Sequence, residues 1–267
     1  MGGCRGRWDV GLVRPARWGA VMGKRLRSVS ACASACTSAS TSAAALELVG
    51  VHKHFGAVQV LRGIDLCVQP GECLAIVGAN GAGKTTLLDV LSGGCTPSAG
   101  RVLLDGVRID GLAPHAIHQL GLARSFQRSM GFGRLSVWDN LRCAVMWGLG
   151  YRYACWLPLS ALRTVSHRAN EWLARLELEA LRNDPVATLP YAQRRALEVG
   201  MALAGEARVL LLDEPTSGMG RAQTLHFLAL LRTLTQGRTT IVVEHDMDVV
   251  AALADRVAVL ADGVLAG

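Results

Sequence analysis

A glycine-rich loop constrains the fold of this chain more than any other feature. Residues 78–86 read GANGAGKTT and match the pattern G-x-x-x-x-G-K-[ST]. The apolar run 73–77 precedes the loop and the helix-like run 87–91 follows it. This order of strand, loop and helix lets backbone N–H groups close around an anion at a helix N-terminus. The chain has only three lysines, and chance alone would produce such a match in well below roughly 1% of similar chains.

The residues of this loop have separate expected tasks. Glycines let successive N–H groups turn inward without a Cβ in the way. Lys84 is expected to reach the β- and γ-phosphates of a nucleotide, and the Thr85 hydroxyl to ligate Mg²⁺. The residues predicted to bind the nucleotide here are Gly78, Asn80, Gly81, Gly83, Lys84, Thr85 and Thr86.

A second pattern places two carboxylates at the end of an apolar strand. Residues 209–212 are Val-Leu-Leu-Leu, and Asp213 and Glu214 follow directly. Ligands bind at the carboxyl ends of strands in parallel α/β sheets. Asp213 is therefore predicted to hold Mg²⁺, and Glu214 to orient and deprotonate an attacking water. Taken alone, such a strand end is a solvated turn about as commonly as it is a catalytic site. In a chain that also has a phosphate loop, it indicates nucleotide hydrolysis.

The order of the elements predicts an α/β fold of the P-loop NTPase class. Short apolar runs at 73–77, 208–212, 239–243 and 256–260 are separated by helix-like stretches, which is typical of a mostly parallel sheet covered on both faces. The β-rich runs 46–51, 58–68 and 101–109 predict an N-terminal antiparallel β subdomain. Residues of helical spacing at 162–181 predict a helical insertion, placed at about 128–195.

Residues 1–45 differ from the rest of the chain. They carry seven basic groups and one acid, which is six of the total net charge of +7. Residues 28–45 are built from Ser, Val, Ala, Cys and Thr, and we expect a disordered extension that is dispensable for ATP binding. An organelle transit peptide, a lipoprotein signal around 29–32 and a true start at Met22 are the other interpretations.

Charge and cysteine usage exclude several classes of protein. Residues 46–267 are nearly neutral, so they carry no basic footprint and no nucleic-acid partner is expected. The eight cysteines contain no C-x-x-C pair, which argues against a disulfide scaffold and a zinc site. His115 and His118 lie three apart, but no Cys or carboxylate joins them as a metal ligand. No N-K-x-D sequence is present to read a guanine base.

Residues 46–267 resemble the ATP-binding subunit of ABC transporters. Residues 124–127, Arg-Ser-Phe-Gln, are similar to the family's glutamine loop, residues 189–193 occupy the place of its signature peptide, and residues 243–247 resemble its histidine switch. The resemblance implies that Gln127 contacts the metal and reports nucleotide state to a membrane partner. It also implies that His245 positions water and γ-phosphate, and that Phe55 stacks on adenine. Pro190, Ala192 and Gln193 would contact the nucleotide of an opposite subunit.

Within the family, residues 123–141, 189–195 and 244–247 look most like the ATPases that serve importers of branched-chain and other hydrophobic amino acids. Importers of urea and short amides have similar subunits. The resemblance implies an ATPase that uses ATP and Mg²⁺ at the cytoplasmic face of a bacterial inner membrane. Its implied partners are membrane permease subunits, a second ATPase subunit and, indirectly, a solute-binding protein. The aromatic stretch 144–159 would receive a permease helix or pack in the core of the insertion.

The sequence also departs from the family's pattern. Where the signature L-S-G-G-Q has serine, this chain has Pro190, which offers neither a hydroxyl nor an N–H. Ala192 adds a methyl where glycine permits close approach. Each lost charge-assisted hydrogen bond costs roughly 1.5–3 kcal/mol. Met219 and Gly220 stand where the family usually has an aspartate, and the chain stops at Gly267, short of where many relatives in this branch end.

Two hypotheses follow from these departures. One is a heteromeric transporter, in which a different ATPase subunit supplies the signature peptide that completes the site of Lys84 and Glu214. The other is an ATP-binding regulatory or structural module with weak hydrolysis. Soluble ABC proteins of DNA repair or translation are a third class; the translation type holds two cassettes in one chain, and one phosphate loop is present here.

Overall fold

A computed structural model describes residues 27–28, 44–125, 131–151 and 162–266; of residues 27–28 it describes the backbone alone. The strands are β1 (Arg27–Ser28), β2 (Leu46–Phe55), β3 (Val58–Val68), β4 (Cys73–Val77), β5 (Ala99–Leu104), β6 (Val107–Arg108), β7 (Leu122–Ser125), β8 (Val209–Asp213), β9 (Thr239–Val243), β10 (Arg256–Ala261) and β11 (Val264–Ala266). The α-helices are α1 (Lys84–Leu91), α2 (Pro114–Gln119), α3 (Val137–Gly148), α4 (Arg163–Arg175), α5 (Tyr191–Ala204), α6 (Arg221–Leu234) and α7 (Met247–Leu253).

The main sheet has the strand order β1-β10-β4-β9-β8-β7, and every pair along this path is parallel. β11 pairs with β10 in the antiparallel sense. All five residues of β8 and of β9 are buried, as expected for strands covered on both faces. Because β9 pairs with both β4 and β8, the phosphate loop and the Asp-Glu pair lie at the same edge of the sheet.

A second, antiparallel sheet has the order β3-β2-β5-β6. Its buried side chains share one apolar core with β4, β8 and α1, which includes Leu46, Leu66, Leu88, Val102 and Leu211. The two sheets are therefore joined through a common core that fixes the position of the phosphate loop. The predicted mostly parallel sheet and antiparallel N-terminal β subdomain are confirmed.

The described residues between β7 and β8 are mostly helical. The described residues there form α3, α4 and α5, with two short 3-10 turns. Ser136 begins α3 by accepting a hydrogen bond from the Asp139 backbone N–H (3.0 Å), which satisfies a helix-terminal donor. The predicted helix over 162–181 ends earlier, at Arg175, because Glu177 adopts a positive φ of 58°. The limits 128–195 of the insertion stay a prediction.

The outer edge of β10 is shared by two segments. β11 covers its second half, and β1 pairs with Arg256 and Val257 at its start. At residues 27–28 the structure therefore has a short strand where the sequence predicts an irregular extension. An unpaired strand edge is a favourable place for such an addition, because its N–H and C=O groups need partners. Residues 1–26 and 29–43 lie outside the described residues.

None of the helices in the described part of the chain is long and apolar enough to cross a membrane.

Candidate functional site: a phosphate loop facing a carboxylate pair

The phosphate loop connects β4 to α1 and needs glycine for local reasons. A Cβ at Gly78 would lie 2.2 Å from the carbonyl oxygen of Leu260, so that no side chain fits there. Gly81 and Gly83 have φ values of 83° and 102°, a region that side chains rarely adopt. Gly83 is also the residue at which α1 begins. The loop thus presents its backbone at a helix N-terminus, as its sequence predicts.

The ammonium group of Lys84 is held inside this loop. The residue is 7% exposed, and its Nζ donates to the carbonyl oxygens of Gly78 (2.7 Å) and Ala79 (3.0 Å). Thr85 and Asn80 are exposed beside it, and Thr86 is half-buried. A cation clamped at the mouth of a glycine loop, with a hydroxyl next to it, fits the triphosphate of a nucleotide and its metal ion.

A cleft of about 490 Å³ opens next to the loop. The cleft is lined by residues of β3, of the end of β10 with its turn to β11, and of the phosphate loop. Among the described residues that line this cleft, Phe55 is absent; it lies at the end of β2, 53% exposed, with the Lys53 ammonium 4.7 Å from its ring centre. The structure does not bring Phe55 into the cleft, and its stacking on adenine stays a prediction.

The carboxylate pair ends β8 on the same edge of the sheet. Asp213 is buried, and Glu214 follows it with a positive φ of 43° and a partly exposed side chain. A positive φ is uncommon for a residue other than glycine and marks a backbone held by its surroundings. Here the Glu214 N–H donates to the carbonyl of Val243 on β9 (2.9 Å). After this turn the Glu214 side chain is partly exposed and lies near His245, whereas the Asp213 side chain is buried.

The structure brings Glu214 and His245 together. The Nδ1 atom of His245 lies 3.7 Å from Oε1 of Glu214, and the imidazole is exposed. This separation is too long for a direct hydrogen bond and leaves both groups able to share a water or a phosphate oxygen. A general base beside an imidazole at the phosphate edge is an arrangement suited to activating water.

Glu244 is a residue whose position the sequence analysis missed. It is 1% exposed, and its Oε1 accepts from the Thr216 hydroxyl (2.8 Å) and backbone N–H (3.3 Å). Its Oε2 accepts from the backbone N–H of His245 (3.2 Å). Glu244 therefore ties the loop after Glu214 to the loop of His245. The sequence feature that could have indicated this role is the carboxylate directly after the apolar strand β9.

The sequence predicts Arg124 only as part of the glutamine loop, yet its side chain contacts Asp213 at the site. Its guanidinium is buried and donates to Asp213 Oδ2 (3.1 Å), Asp89 Oδ1 (2.5 Å) and Ser92 Oγ (3.2 Å). Gln127 lies outside the described residues. Its metal contact stays a prediction.

Residues 189–193, the predicted signature peptide, lead into the start of α5. Pro190 is the residue before the first turn, and no side-chain hydrogen bond caps the helix. Among the described residues, the side-chain oxygen of Gln193 is buried without a hydrogen-bond partner. No hydrogen bond or ion pair in the described part of the chain joins Pro190, Ala192 or Gln193 to Lys84 or Glu214.

A largely apolar groove of about 380 Å³ lies between the helical insertion and the main sheet. Its walls come from α2, α3, α5 and the end of β7, including Ala144 and Trp147 of α3 and Arg124. Val145, on the same helix, packs into an apolar cluster instead. Residues 144–151 therefore contribute to both a groove and a core; residues 152–161 lie outside the described part.

His115 and His118 also line this groove. Among the described residues, no group of three or more His, Cys, Asp or Glu side chains could hold a metal ion. The rings of His118 and Trp147 lie 5.7 Å apart, which is a packing contact.

Fold and loop together define a nucleotide-binding domain of the P-loop NTPase class. Residues 61–217 match the ABC transporter family, and the chain belongs to that family of ATPases. It is 32% identical over 225 residues to the high-affinity branched-chain amino acid transport ATP-binding protein BraF of Pseudomonas aeruginosa, covering 82% of this chain and 88% of that protein.

Other relatives transport a different solute. The ribose import ATP-binding protein RbsA of a Chelativorans species is 35% identical over 221 residues, which cover 82% of this chain. The chain spans only 42% of the length of that relative.

Solved structures agree on the fold. The ADP conformation of MJ1267, an ATP-binding cassette of an ABC transporter, matches with a TM-score of 0.71 and 25% identity, covering 84% of this chain and 90% of that one. CbiO1 of Clostridium perfringens, part of the ABC transporter complex cbiONQ, matches with a TM-score of 0.71 and 28% identity, covering 84% and 87%.

Proposed function

We propose that this chain is the ATP-binding and hydrolysing subunit of an ABC importer, with Glu214 as its general base. The single observation that carries the proposal is that the Lys84 loop and the Glu214–His245 pair occupy one edge of the main sheet. Two loop carbonyls hold the Lys84 ammonium, and a hydrogen bond to Val243 holds the backbone of Glu214.

The phosphates of ATP would be bound by the loop amides and by Lys84. Lys84 already donates to two loop carbonyls, and it would exchange them for β- and γ-phosphate oxygens. Asp213, Thr85 and Gln127 would hold Mg²⁺, whose preferred ligands are oxygens, and a carboxylate that gives one oxygen to a guanidinium keeps lone pairs for a metal. When bound, Mg²⁺ supplies positive charge that stabilises the transferring phosphoryl group.

Hydrolysis would then proceed at Glu214. Its carboxylate accepts a proton from a water whose oxygen bonds to the γ-phosphorus, while the bond from that phosphorus to the β-phosphate oxygen breaks. His245, 3.7 Å from Glu214, would hold the water and a γ-phosphate oxygen in line. Lys84 neutralises charge that develops on the phosphate oxygens. The products are ADP and inorganic phosphate.

Permease subunits would dock a helix in the groove between α3, α5 and the sheet. The groove is largely apolar and lies at Arg124, three residues before Gln127. Such a surface suits the apolar face of a helix. This docking would place the protein at the cytoplasmic face of a bacterial inner membrane, as a peripheral subunit, with a solute-binding protein acting through the permease.

The solute is proposed to be a branched-chain or other hydrophobic amino acid. The motif regions 123–141, 189–195 and 244–247 support this branch, and BraF covers more of its own length in the match than RbsA does. Urea and short amides are alternatives from the same branch. Uptake of labelled leucine, urea and ribose by the reconstituted transporter separates the three, and uptake of ribose alone would refute the amino-acid assignment.

The second candidate is an ATP-binding regulatory or structural module with weak hydrolysis. The observation that favours it is the start of α5, where Pro190 provides neither an N–H nor a hydroxyl to a γ-phosphate. Steady-state phosphate release from the reconstituted complex decides between the two. Turnover no faster than that of the Glu214→Gln protein would favour the regulatory module.

The test of the general base is the Glu214→Gln substitution. We expect ATP binding to persist and turnover to be nearly abolished, because the amide cannot accept the proton. Glu171→Gln is the matched control, since Glu171 is an exposed acid on α4 that pairs only with His167 among the described residues. A Glu214→Gln protein that retains most of its turnover would show that the base is wrongly assigned.

A further inference from the structure

Arg124 joins three elements of the nucleotide site. It lies on β7, the edge strand beside β8, and its side chain is 7% exposed. One nitrogen, Nη2, donates to Asp213 at the end of β8, and the other, Nη1, donates to Asp89 and Ser92 at the end of α1. The helix that begins at Lys84 and the strand that ends at Asp213 are thus connected by one guanidinium.

The burial of Asp213 makes this contact more than a surface ion pair. The side chain of Asp213 is as buried as that of Arg124, and a carboxylate removed from water needs a cation and hydrogen bonds to remain ionised. Asp89, in contrast, is partly exposed and has access to water. Loss of Arg124 would therefore leave the buried Asp213 carboxylate unpaired, whereas Asp89 can turn to water; the Asp89 bond helps to orient the guanidinium.

The planar fork of arginine fixes direction as well as charge. A guanidinium that is bonded at both terminal nitrogens cannot rotate without breaking one bond. The oxygen of Asp213 that it holds sets the plane of the whole carboxylate. Groups that hold a metal-ligating carboxylate in this way determine the affinity for the metal.

We propose that Arg124 is a positioning residue that orients Asp213 for Mg²⁺. The inference rests on the proposed function, since it assumes that Asp213 is the metal carboxylate. Arg124 touches neither the nucleotide nor the metal in this role. It acts through Asp213, and its effect belongs to the part of nucleotide binding that depends on Mg²⁺.

The experiment measures ATP affinity by calorimetry on the full chain, once with Mg²⁺ and once with a chelator. In the wild type, the ratio of the two dissociation constants gives the gain from Mg²⁺. We expect Arg124→Ala to reduce that gain about tenfold, the lower end for loss of a group that supports a metal ligand. The affinity for ATP without Mg²⁺ is expected to stay unchanged.

Two further variants keep the test decisive if Arg124→Ala does not fold. Arg124→Lys retains the charge without the fork and is expected to restore part of the gain. Asp89→Asn removes the carboxylate that orients the guanidinium, and a smaller loss of the gain is expected because Asp89 is partly exposed. The matched control is Arg108→Ala, which breaks an arginine–aspartate pair with Asp110 in the antiparallel sheet and is expected to leave the gain intact.

The outcomes separate the two proposals. A wild-type protein that binds no ATP would contradict the proposed function. If the wild type gains affinity from Mg²⁺ and the Arg124 and Asp89 variants keep the whole gain, this inference alone fails. Equal weakening of ATP binding with and without Mg²⁺ would also overturn it, because a merely structural role predicts that result.

Discussion

The phosphate edge of the main sheet and the start of α5, the two places where nucleotide contacts are predicted, differ in how their polar groups are held. At the sheet edge, Lys84 and Glu244 are buried and each makes at least two hydrogen bonds. At the start of α5, Pro190 has no hydrogen to donate and the Gln193 oxygen is buried without a partner among the described residues. We call the sheet edge the organised region, because several hydrogen bonds hold its side chains, and the start of α5 the poor region, because Pro190 supplies neither an N–H nor a hydroxyl.

The two regions therefore differ in the polar groups that they can offer to a nucleotide. The organised region would serve the nucleotide that the chain itself binds. The poor region would serve the nucleotide of an opposite subunit. This contrast supports the hypothesis of two different ATPase subunits, in which the second one has the more complete signature peptide.

Removing the cation from the organised region is expected to have the largest effect. Lys84→Ala should weaken Mg-ATP binding by about 100-fold or more, because charge-assisted hydrogen bonds to two phosphate groups are lost. Calorimetry measures the change, and circular dichroism on the same sample controls for folding. Unchanged affinity in a folded Lys84→Ala protein would show that the organised region is not a nucleotide site.

Returning the family's residues at positions 190 and 192 should increase ATP turnover. The double substitution Pro190→Ser and Ala192→Gly returns a hydroxyl, an N–H and space for close approach. We expect turnover of the protein without a second kind of subunit to rise about 10- to 100-fold, the equivalent of one regained charge-assisted bond. Phosphate release is the measurement. No change in turnover would mean that Pro190 and Ala192 do not limit the reaction.

Loosening the support of the organised region should lower both stability and turnover. Glu244→Ala leaves the Thr216 hydroxyl and two backbone N–H groups without their carboxylate, at about 1–3 kcal/mol for a buried donor left unpaired. Chemical denaturation measures the free energy of unfolding. Thr216→Val is the companion variant, because it removes one donor and keeps the shape of the side chain. We expect it to lose less stability than Glu244→Ala. Equal stability of the Glu244→Ala protein and the wild type would contradict the role given to Glu244.

The smallest effect on the nucleotide site is expected in the antiparallel sheet, where the exposed Arg108 pairs with the largely buried carboxylate of Asp110. The hydrogen bond from Arg108 lowers the pKa of the Asp110 carboxyl below its ordinary value. A lowered folded-state pKa stabilises the fold above the unfolded value and is lost as the pH falls through the folded value. Arg108→Ala should therefore flatten this acid-side dependence slightly and leave ATP binding untouched. Denaturation across the acid range, with binding measured in parallel, checks both parts.

Local sequence was enough to predict the parts of the site that depend on neighbours along the chain. The loop of Lys84 and the ending of β8 are defined by short patterns, because glycine at Gly78 and carboxylates after an apolar strand have local causes. The parallel order of the strands also followed from alternation with helices.

Other features depend on partners distant in sequence. Arg124 meets Asp89 and Asp213 only because β7 pairs with β8 beside α1. Glu244 meets Thr216 across two loops that are 28 residues apart. The pairing of residues 27–28 with β10 likewise needs a sheet edge that no local pattern announces. These contacts could be found only in three dimensions.

Titration of the wild-type protein with Mg-ATP in a calorimeter is the direct test of whether the Lys84 loop binds a nucleotide. We expect saturable binding of one nucleotide per chain, weakened when Mg²⁺ is removed, since the phosphate loop, Lys84 and Asp213 all belong to a single subunit. Absence of any binding heat from a folded sample, confirmed by equilibrium dialysis with labelled ATP, would contradict it.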